Sequence, residues 1–247
     1  MTEPRPAGVP AVIGHRGACG HAPENTLASI RKAAALGVRW VEFDTKLSRD
    51  GHVVLFHDDK LKRTTGAPGA VADRDLADLQ GLDAGGWYAS AFTGEPVPTL
   101  RQAMAVLAGL GLGANVEIKA SPGREDETGR MVAGLLRDEW PAGLPVPLIS
   151  SFDPVTLAAA RDAAPDISRA LLVFAIPRDW RRRMEDAGCT ALHCRHRELT
   201  PGKARAVVDA GIPLRCFTVN EPQRAETLYG WGVQAVISDH PDRLPRR

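Results

Sequence analysis

The stretch Trp40-Val41-Glu42-Phe43-Asp44, followed through Lys46 and Ser48 by Arg49-Asp50-Gly51 and Val53-Val54-Leu55-Phe56-His57, holds two runs of bulky and β-branched residues around one turn signal. A link this short has no room for a crossover helix, so the two runs form an antiparallel hairpin. On the first run Glu42 and Asp44 are two apart and leave the strand by the same face. Two like charges this close are tolerable if a cation lies between them, if one keeps a proton, or if both face water. With the turn centred near Asp50, His57 is expected close to Glu42 across the ladder.

Working outward, Ala11-Val12-Ile13-Gly14 reads as a buried strand that delivers His15, Arg16 and Gly17 just past its end. Pro23-Glu24-Asn25-Thr26 starts a helix, with apolar spacing through Leu27, Ile30, Ala34 and Leu36 until Gly37. Residues 59 to 98 are irregular and read as an inserted excursion without a second core; its Trp87, Tyr88 and Phe92 suggest a packed lid rather than an apolar rim. From Thr99 helix patterns fall near 99 to 110, 125 to 139, 154 to 163, 178 to 187, 201 to 210 and 221 to 229. Strand patterns fall near 115 to 119, 146 to 150, 169 to 173, 191 to 194, 214 to 219 and 235 to 238. Together with the strands at Ala11 and Glu42 these make eight helix-separated strands, with the 53 to 57 run left as the hairpin arm.

Eight βα units in a chain of 247 residues predict a (β/α)8 TIM barrel, one domain over 1–247, with a small insertion at about 59–98 after the second barrel strand and its hairpin. A doubly wound open sheet is the competing architecture, but no Gly-x-Gly-x-x-Gly opens a helix after the first strand. Lys and Arg (31) nearly balance Asp and Glu (30), so nothing in the net charge of +1 marks a nucleic-acid or anionic-membrane surface. The four cysteines, Cys19, Cys189, Cys194 and Cys216, lack the close pairing of zinc or redox motifs and read as reduced thiols. No secretion signal and no run approaching roughly 18 apolar residues is visible, so a cytoplasmic location without stable membrane association is expected.

In a barrel of this kind active sites collect at the C-terminal strand ends, where the charged residues of this chain also fall. Glu42, Asp44 and Glu117 offer three hard oxygen ligands on neighbouring strands, suited to Mg2+ or Ca2+. The alternative is a salt-bridged network with Arg16 and Lys119. His15 and His57 can serve as general acid and base around a reacting centre. Arg16 and Lys119 beside a divalent ion form an anion clamp, which fits a phosphate. His193 and His196 lie near a strand end but carry no assigned role.

His15-Arg16-Gly17, Pro23-Glu24-Asn25-Thr26, Glu42-Phe43-Asp44, Asp50-Gly51 with His57-Asp58, Val97-Pro98-Thr99-Leu100, Glu117-Ile118-Lys119, Ser151-Phe152, Thr218-Val219-Asn220 and Ser238-Asp239-x-Pro241-Asp242 occur in one order. That ordered set resembles the glycerophosphodiester phosphodiesterases over residues 11 to 244, in particular their compact cytoplasmic bacterial members. The resemblance implies a TIM barrel that hydrolyses glycerophosphodiesters, the deacylated phospholipids, to sn-glycerol 3-phosphate and an alcohol. It implies that Glu42, Asp44 and Glu117 bind one divalent cation, Mg2+ ahead of Ca2+, that His15 and His57 are the acid and base, and that Arg16 and Lys119 hold phosphate. Where the family often carries tryptophan before Thr-Val-Asn this chain has Phe217, expected to keep an aromatic wall against substrate. Competing readings are a lipid-active phospholipase-type barrel and a non-catalytic barrel that binds phosphorylated ligands.

Overall fold

The computed structural model describes residues 8–245, and among them the parallel strands close into the expected barrel. In chain order they are β1 (Val12–Gly14), β2 (Trp40–Leu47), β3 (Val53–Leu55), β4 (Gly113–Ile118), β5 (Leu148–Ser151), β6 (Arg169–Val173), β7 (Ala191–Arg195), β8 (Leu214–Phe217) and β9 (Ala235–Ser238). β1 pairs in parallel with both β2 and β9, which closes the ring, while β3 hangs antiparallel on β2 as the hairpin arm. The helices are α1 (Leu27–Ala35), α2 (Lys62–Thr65), α3 (Leu76–Gln80), α4 (Leu100–Leu110), α5 (Glu125–Glu139), α6 (Pro154–Ala163), α7 (Trp180–Asp186), α8 (Pro201–Val208) and α9 (Pro222–Gly230).

Local chemistry sets the boundaries. Thr26, Asp153 and Thr200 cap α1, α6 and α8 by accepting from the backbone N–H three residues on, and Thr99 forms a capping box with Gln102 at α4. Proline opens α6, α8 and α9, where its missing N–H costs nothing. The strand expected from 146 begins instead at Leu148, because Pro147 has no N–H to give a ladder and Val146 remains exposed.

The strands are buried on both faces, as a parallel barrel requires. Outward residues Val41, Phe43, Val116 and Ile149 pack with α1, α4 and α5, while Leu171, Leu192, Leu214 and Val236 do so with residues of α7, α8 and α9. Inside lie Ile13, Trp40, Leu148, Ala170, Ala191, Ala235 and Ile237. Trp40 fills the space over Gly113, where a Cβ would come within 2.3 Å of the indole.

Two expectations change. The hairpin register pairs Thr45 with Leu55, Lys46 with Val54 and Leu47 with Val53, so continuation of the ladder sets His57 opposite Phe43 rather than Glu42. The 59 to 98 excursion also buries a small core of its own: Leu61, Val71, Leu79, Ala84 and Val97 close over Val54 and Phe56. Covering that arm removes an open sheet edge. Trp87, Tyr88 and Phe92 stack edge-on at 5.7 Å each, with Trp87 43% exposed, so the lid is packed on one side only. Among the described residues no helix is long and apolar enough to cross a membrane.

Candidate active site

Parallel register brings the acids together. β2 and β4 pair so that Asp44 faces Glu117, and Gly14 pairs with Val41, which sets His15 level with Glu42. One carboxylate oxygen from each of Glu42, Asp44 and Glu117 lies within 4.8 Å of the others. Glu42 and Asp44 are each only 2% exposed. Burial, then the charges of Asp44 and Glu117, push Glu42 well above the usual carboxylate range. Burial and Asp44 likewise push Glu117 up to about 7, against the pull of Lys119. Asp44 stays low: burial acts to raise it, but Arg16, His57, Lys119 and a hydrogen bond from Asn25 outweigh that.

The salt-bridged alternative is partly realised and falls short of neutralising the site. Arg16 Nε lies 3.2 Å from Asp44 Oδ2, and Lys119 Nζ lies 3.2 Å from Glu117 Oε1. Glu42 receives only the backbone N–H of Arg16 on Oε2 (3.0 Å) and His15 Nε2 at 3.9 Å, and its Oε1 is buried with no hydrogen-bond partner. An orphaned carboxylate oxygen facing two further acids is the arrangement a divalent cation completes, since it satisfies lone pairs that no side chain reaches.

Arg16 is held in a left-handed backbone conformation (φ 48°), a cost on the order of 1 kcal/mol for a side-chain-bearing residue. Its carbonyl accepts from Asn25 N and Ser29 Oγ, and its guanidinium also pairs with Glu24 at 2.6 Å. Gly17 follows at φ 88°, where a Cβ would fall 2.4 Å from Ser29 Oγ, so only glycine fits.

Each histidine is backed by a carboxylate. His15 Nδ1 donates to Asp239 Oδ1 and His57 Nδ1 donates to Asp58 Oδ1, both at 2.6 Å, which leaves each Nε2 available. Asp239 is held by Asn220 Nδ2 (2.8 Å) and Cys19 Sγ (2.9 Å), and Asp58 by Arg63, which also reaches Glu24. Burial, opposed by Asp44 and aided by Arg16, keeps His57 below its ordinary range. Of the three acids, the one whose charge acts on His57 is thus Asp44, whereas the histidine that reaches Glu42 is His15. A cavity of about 450 Å³ opens beside these groups, lined by Lys46, His57, Glu117, Lys119 and Phe152 among others. Phe217 meets Phe152 edge-on at 5.8 Å, and Phe152 lies 4.8 Å from Phe174, so an aromatic wall stands on the far side of Lys119.

A family model described as the glycerophosphoryl diester phosphodiesterase family matches residues 15–243. This chain belongs to that family. It is accordingly an enzyme of the glycerophosphodiester phosphodiesterase class. A glycerophosphodiester phosphodiesterase of Caldanaerobacter subterraneus is 31% identical over 240 residues, covering 94% of this chain and 95% of the relative. One from Bacillus subtilis is 29% identical over 253 residues, covering 93% and 83%. An Oleispira antarctica phosphodiesterase solved with the product sn-glycerol 3-phosphate superposes with a TM-score of 0.92 at 41% identity, covering 95% of each chain.

Of the eight residues singled out from sequence, His15, Arg16, His57, Glu117, Lys119 and Phe217 lie at C-terminal strand ends or the loops that follow them, while Glu42 and Asp44 lie within β2, which runs on to Leu47 as one arm of the hairpin. Several partners were missed. Asn25 clamps Asp44, donating to Oδ2 at 2.8 Å and accepting its backbone N–H at 3.0 Å. Lys46, buried, bonds Asp59 (2.6 Å) and the Lys119 carbonyl (3.0 Å) at the cavity wall. Its signal was the period-2 run Glu42, Asp44, Lys46 continued by one step. Asp239 lay in the Ser238-Asp239-x-Pro241-Asp242 motif without an assigned role, since it meets His15 only when β9 closes on β1. His193 sits deep in the barrel and not at the mouth.

Proposed function

We propose that this family member hydrolyses glycerophosphodiesters to sn-glycerol 3-phosphate and an alcohol, with His15 and His57 moving the protons and a divalent cation, Mg2+ ahead of Ca2+, held by Glu42, Asp44 and Glu117. The observation that carries the reading is the pair of carboxylate-backed histidines beside three clustered acids, two of them buried and one of these with an orphaned oxygen. When bound, the cation supplies Lewis-acid stabilisation of charge on the phosphoryl oxygens. Arg16 and Lys119 orient the phosphate from the same side and disperse its charge. Either water attacks phosphorus directly, or the glycerol 2-hydroxyl does so and forms a cyclic 1,2-phosphate that water then opens; in both routes the bond to the alcohol oxygen breaks. One histidine takes the proton of the nucleophile and the other gives one to the departing alkoxide, so charge never accumulates on either oxygen. Asp239 and Asp58 fix the tautomers and stabilise each imidazolium as it forms. Phe217 and Phe152 wall the substrate beside Lys119. The product held by the Oleispira relative is the one this scheme releases. A non-catalytic binder would have no use for two such dyads.

Release of glycerol 3-phosphate from glycerophosphocholine, followed with and without EDTA and in His15→Ala, tests the assignment. Turnover is expected to vanish with chelator, return with Mg2+ and collapse in the variant; turnover indifferent to both would overturn it.

A further inference from the structure

The opposite pole of the barrel carries a charge that this chemistry does not use. Arg215 projects inward from β8, where the register pairs it with His193 on β7, and it is only 4% exposed. Its Nη1 donates to His193 Nε2 (3.1 Å), and its Nε is buried without a partner. Among the described residues no carboxylate comes within ion-pair distance of it. Burial alone pushes the guanidinium down to about 10, which leaves it charged at neutral pH. Burial, and then Arg215 itself, keep His193 neutral, so the imidazole adds no second charge. Among the described residues the result is one uncompensated buried positive charge, an arrangement that is ordinarily costly.

Arg215 lines a cavity of about 340 Å³ at the N-terminal strand ends, walled by Trp40, Val9, Leu148, Pro147 and Pro213. We propose that this cavity binds a small organic monocarboxylate, its carboxylate on the Arg215 guanidinium and its hydrocarbon body against Trp40 and the prolines. A guanidinium presents a planar fork matched to a carboxylate, and Arg215 carries more donors than its one bond to His193 uses. A single cation with no second one beside it among the described residues favours a monoanion over a doubly charged phosphate. The apolar walls reward a ligand with a hydrocarbon part, and the volume is at the small end of ligand pockets. The site lies at the pole away from Glu42, Asp44 and Glu117 and uses none of the residues assigned to hydrolysis.

Benzoate is the probe, titrated into the full chain by calorimetry at ionic strength held constant with chloride, with benzamide as the neutral control. Benzoate is expected to bind one-to-one and to raise Tm with concentration, with benzamide at least about tenfold weaker, a difference of about 1.4 kcal/mol. Arg215→Met should abolish binding while leaving glycerophosphocholine turnover unchanged. Arg215→Lys, which keeps the charge and loses the fork, should weaken it about tenfold, and it serves as the reading if the methionine variant does not fold. No benzoate binding by the wild type, equal binding of benzamide, or an unchanged Kd in either variant overturns the proposal. Benzoate that competes with substrate and still binds Arg215→Met would place it at the mouth and overturn the proposal equally.

Discussion

The two poles of the barrel handle buried charge in opposite ways. At the mouth three acids meet Arg16 and Lys119, each histidine has a carboxylate behind it, and the shortfall is concentrated on one oxygen of Glu42. At the floor Arg215 and His193 share a single hydrogen bond, and among the described residues no acid answers them. The same β-alternation that turns Glu42 inward turns Arg215 inward. Strand geometry therefore supplies buried positions impartially, and only the surrounding partners decide whether a buried charge becomes chemistry or a liability.

The sharpest way to break the contrast is at the mouth. Glu42→Gln or Glu117→Gln should lower kcat on the order of 10³-fold, because several kcal/mol of transition-state stabilisation depend on the cation they are proposed to hold. His15→Ala and His57→Ala should each cost about 10²- to 10⁴-fold in kcat in a glycerol 3-phosphate release assay. Asp239→Asn should cost less and should alter the pH profile of kcat, since it disturbs the tautomer of His15 without removing the imidazole.

Metal removal probes stability at the same place. Mg2+ at about 100 times its Kd should stabilise the fold by about 2.7 kcal/mol over chelator, read as a Tm shift. Glu42→Gln should lose that increment and, in chelator, should unfold at a higher temperature than wild type, because one of three repelling carboxylates is gone. At the floor the sign reverses. Arg215→Met combined with His193→Leu should be neutral or more stable by about 1–4 kcal/mol in the absence of ligand, with turnover unchanged.

The smallest effect is in acid. Burial and Arg215 hold folded His193 well below 6.5, so the unfolded chain takes up its proton first as pH falls. The stabilisation that neutral His193 allows is complete above about pH 6.5 and declines by about 1.4 kcal/mol per pH unit below it, down to the folded pKa. His193→Gln should flatten that limb of a denaturant-unfolding series by the same slope; an unchanged slope would mean that His193 can charge in place.

Most of the fold could be read from local pattern, because strands buried on both faces and capped helices each leave their own periodicity. The eight barrel strands were all found, and Pro147 explains why one starts late. The mouth was legible where residues cluster in sequence: Glu42 with Asp44, Glu117 with Lys119, His15 with Arg16. It was illegible where closure does the work. Asp239 reaches His15 across 224 positions, and Asn25 reaches Asp44 only because a left-handed turn (φ 56°) aims it there. His57 was placed one residue out because a hairpin's register depends on its turn, and a slip of one residue moves a side chain to the other face. The Arg215 and His193 pair was passed over for a similar reason: nothing in an isolated Leu-Arg-Cys-Phe shows which way arginine points or what it will fail to meet.

Closure of β1 on β9 also has a consequence for how the enzyme is made. The His15 and Asp239 dyad joins the first barrel strand to the last, so it stays open until β9 has left the ribosome. A growing chain can already carry Glu42, Asp44, Glu117 and His57, yet one of the two histidine–carboxylate pairs proposed to handle protons is missing until β9 docks. Synthesis itself thus keeps the nascent protein from turning over substrate before its barrel is sealed.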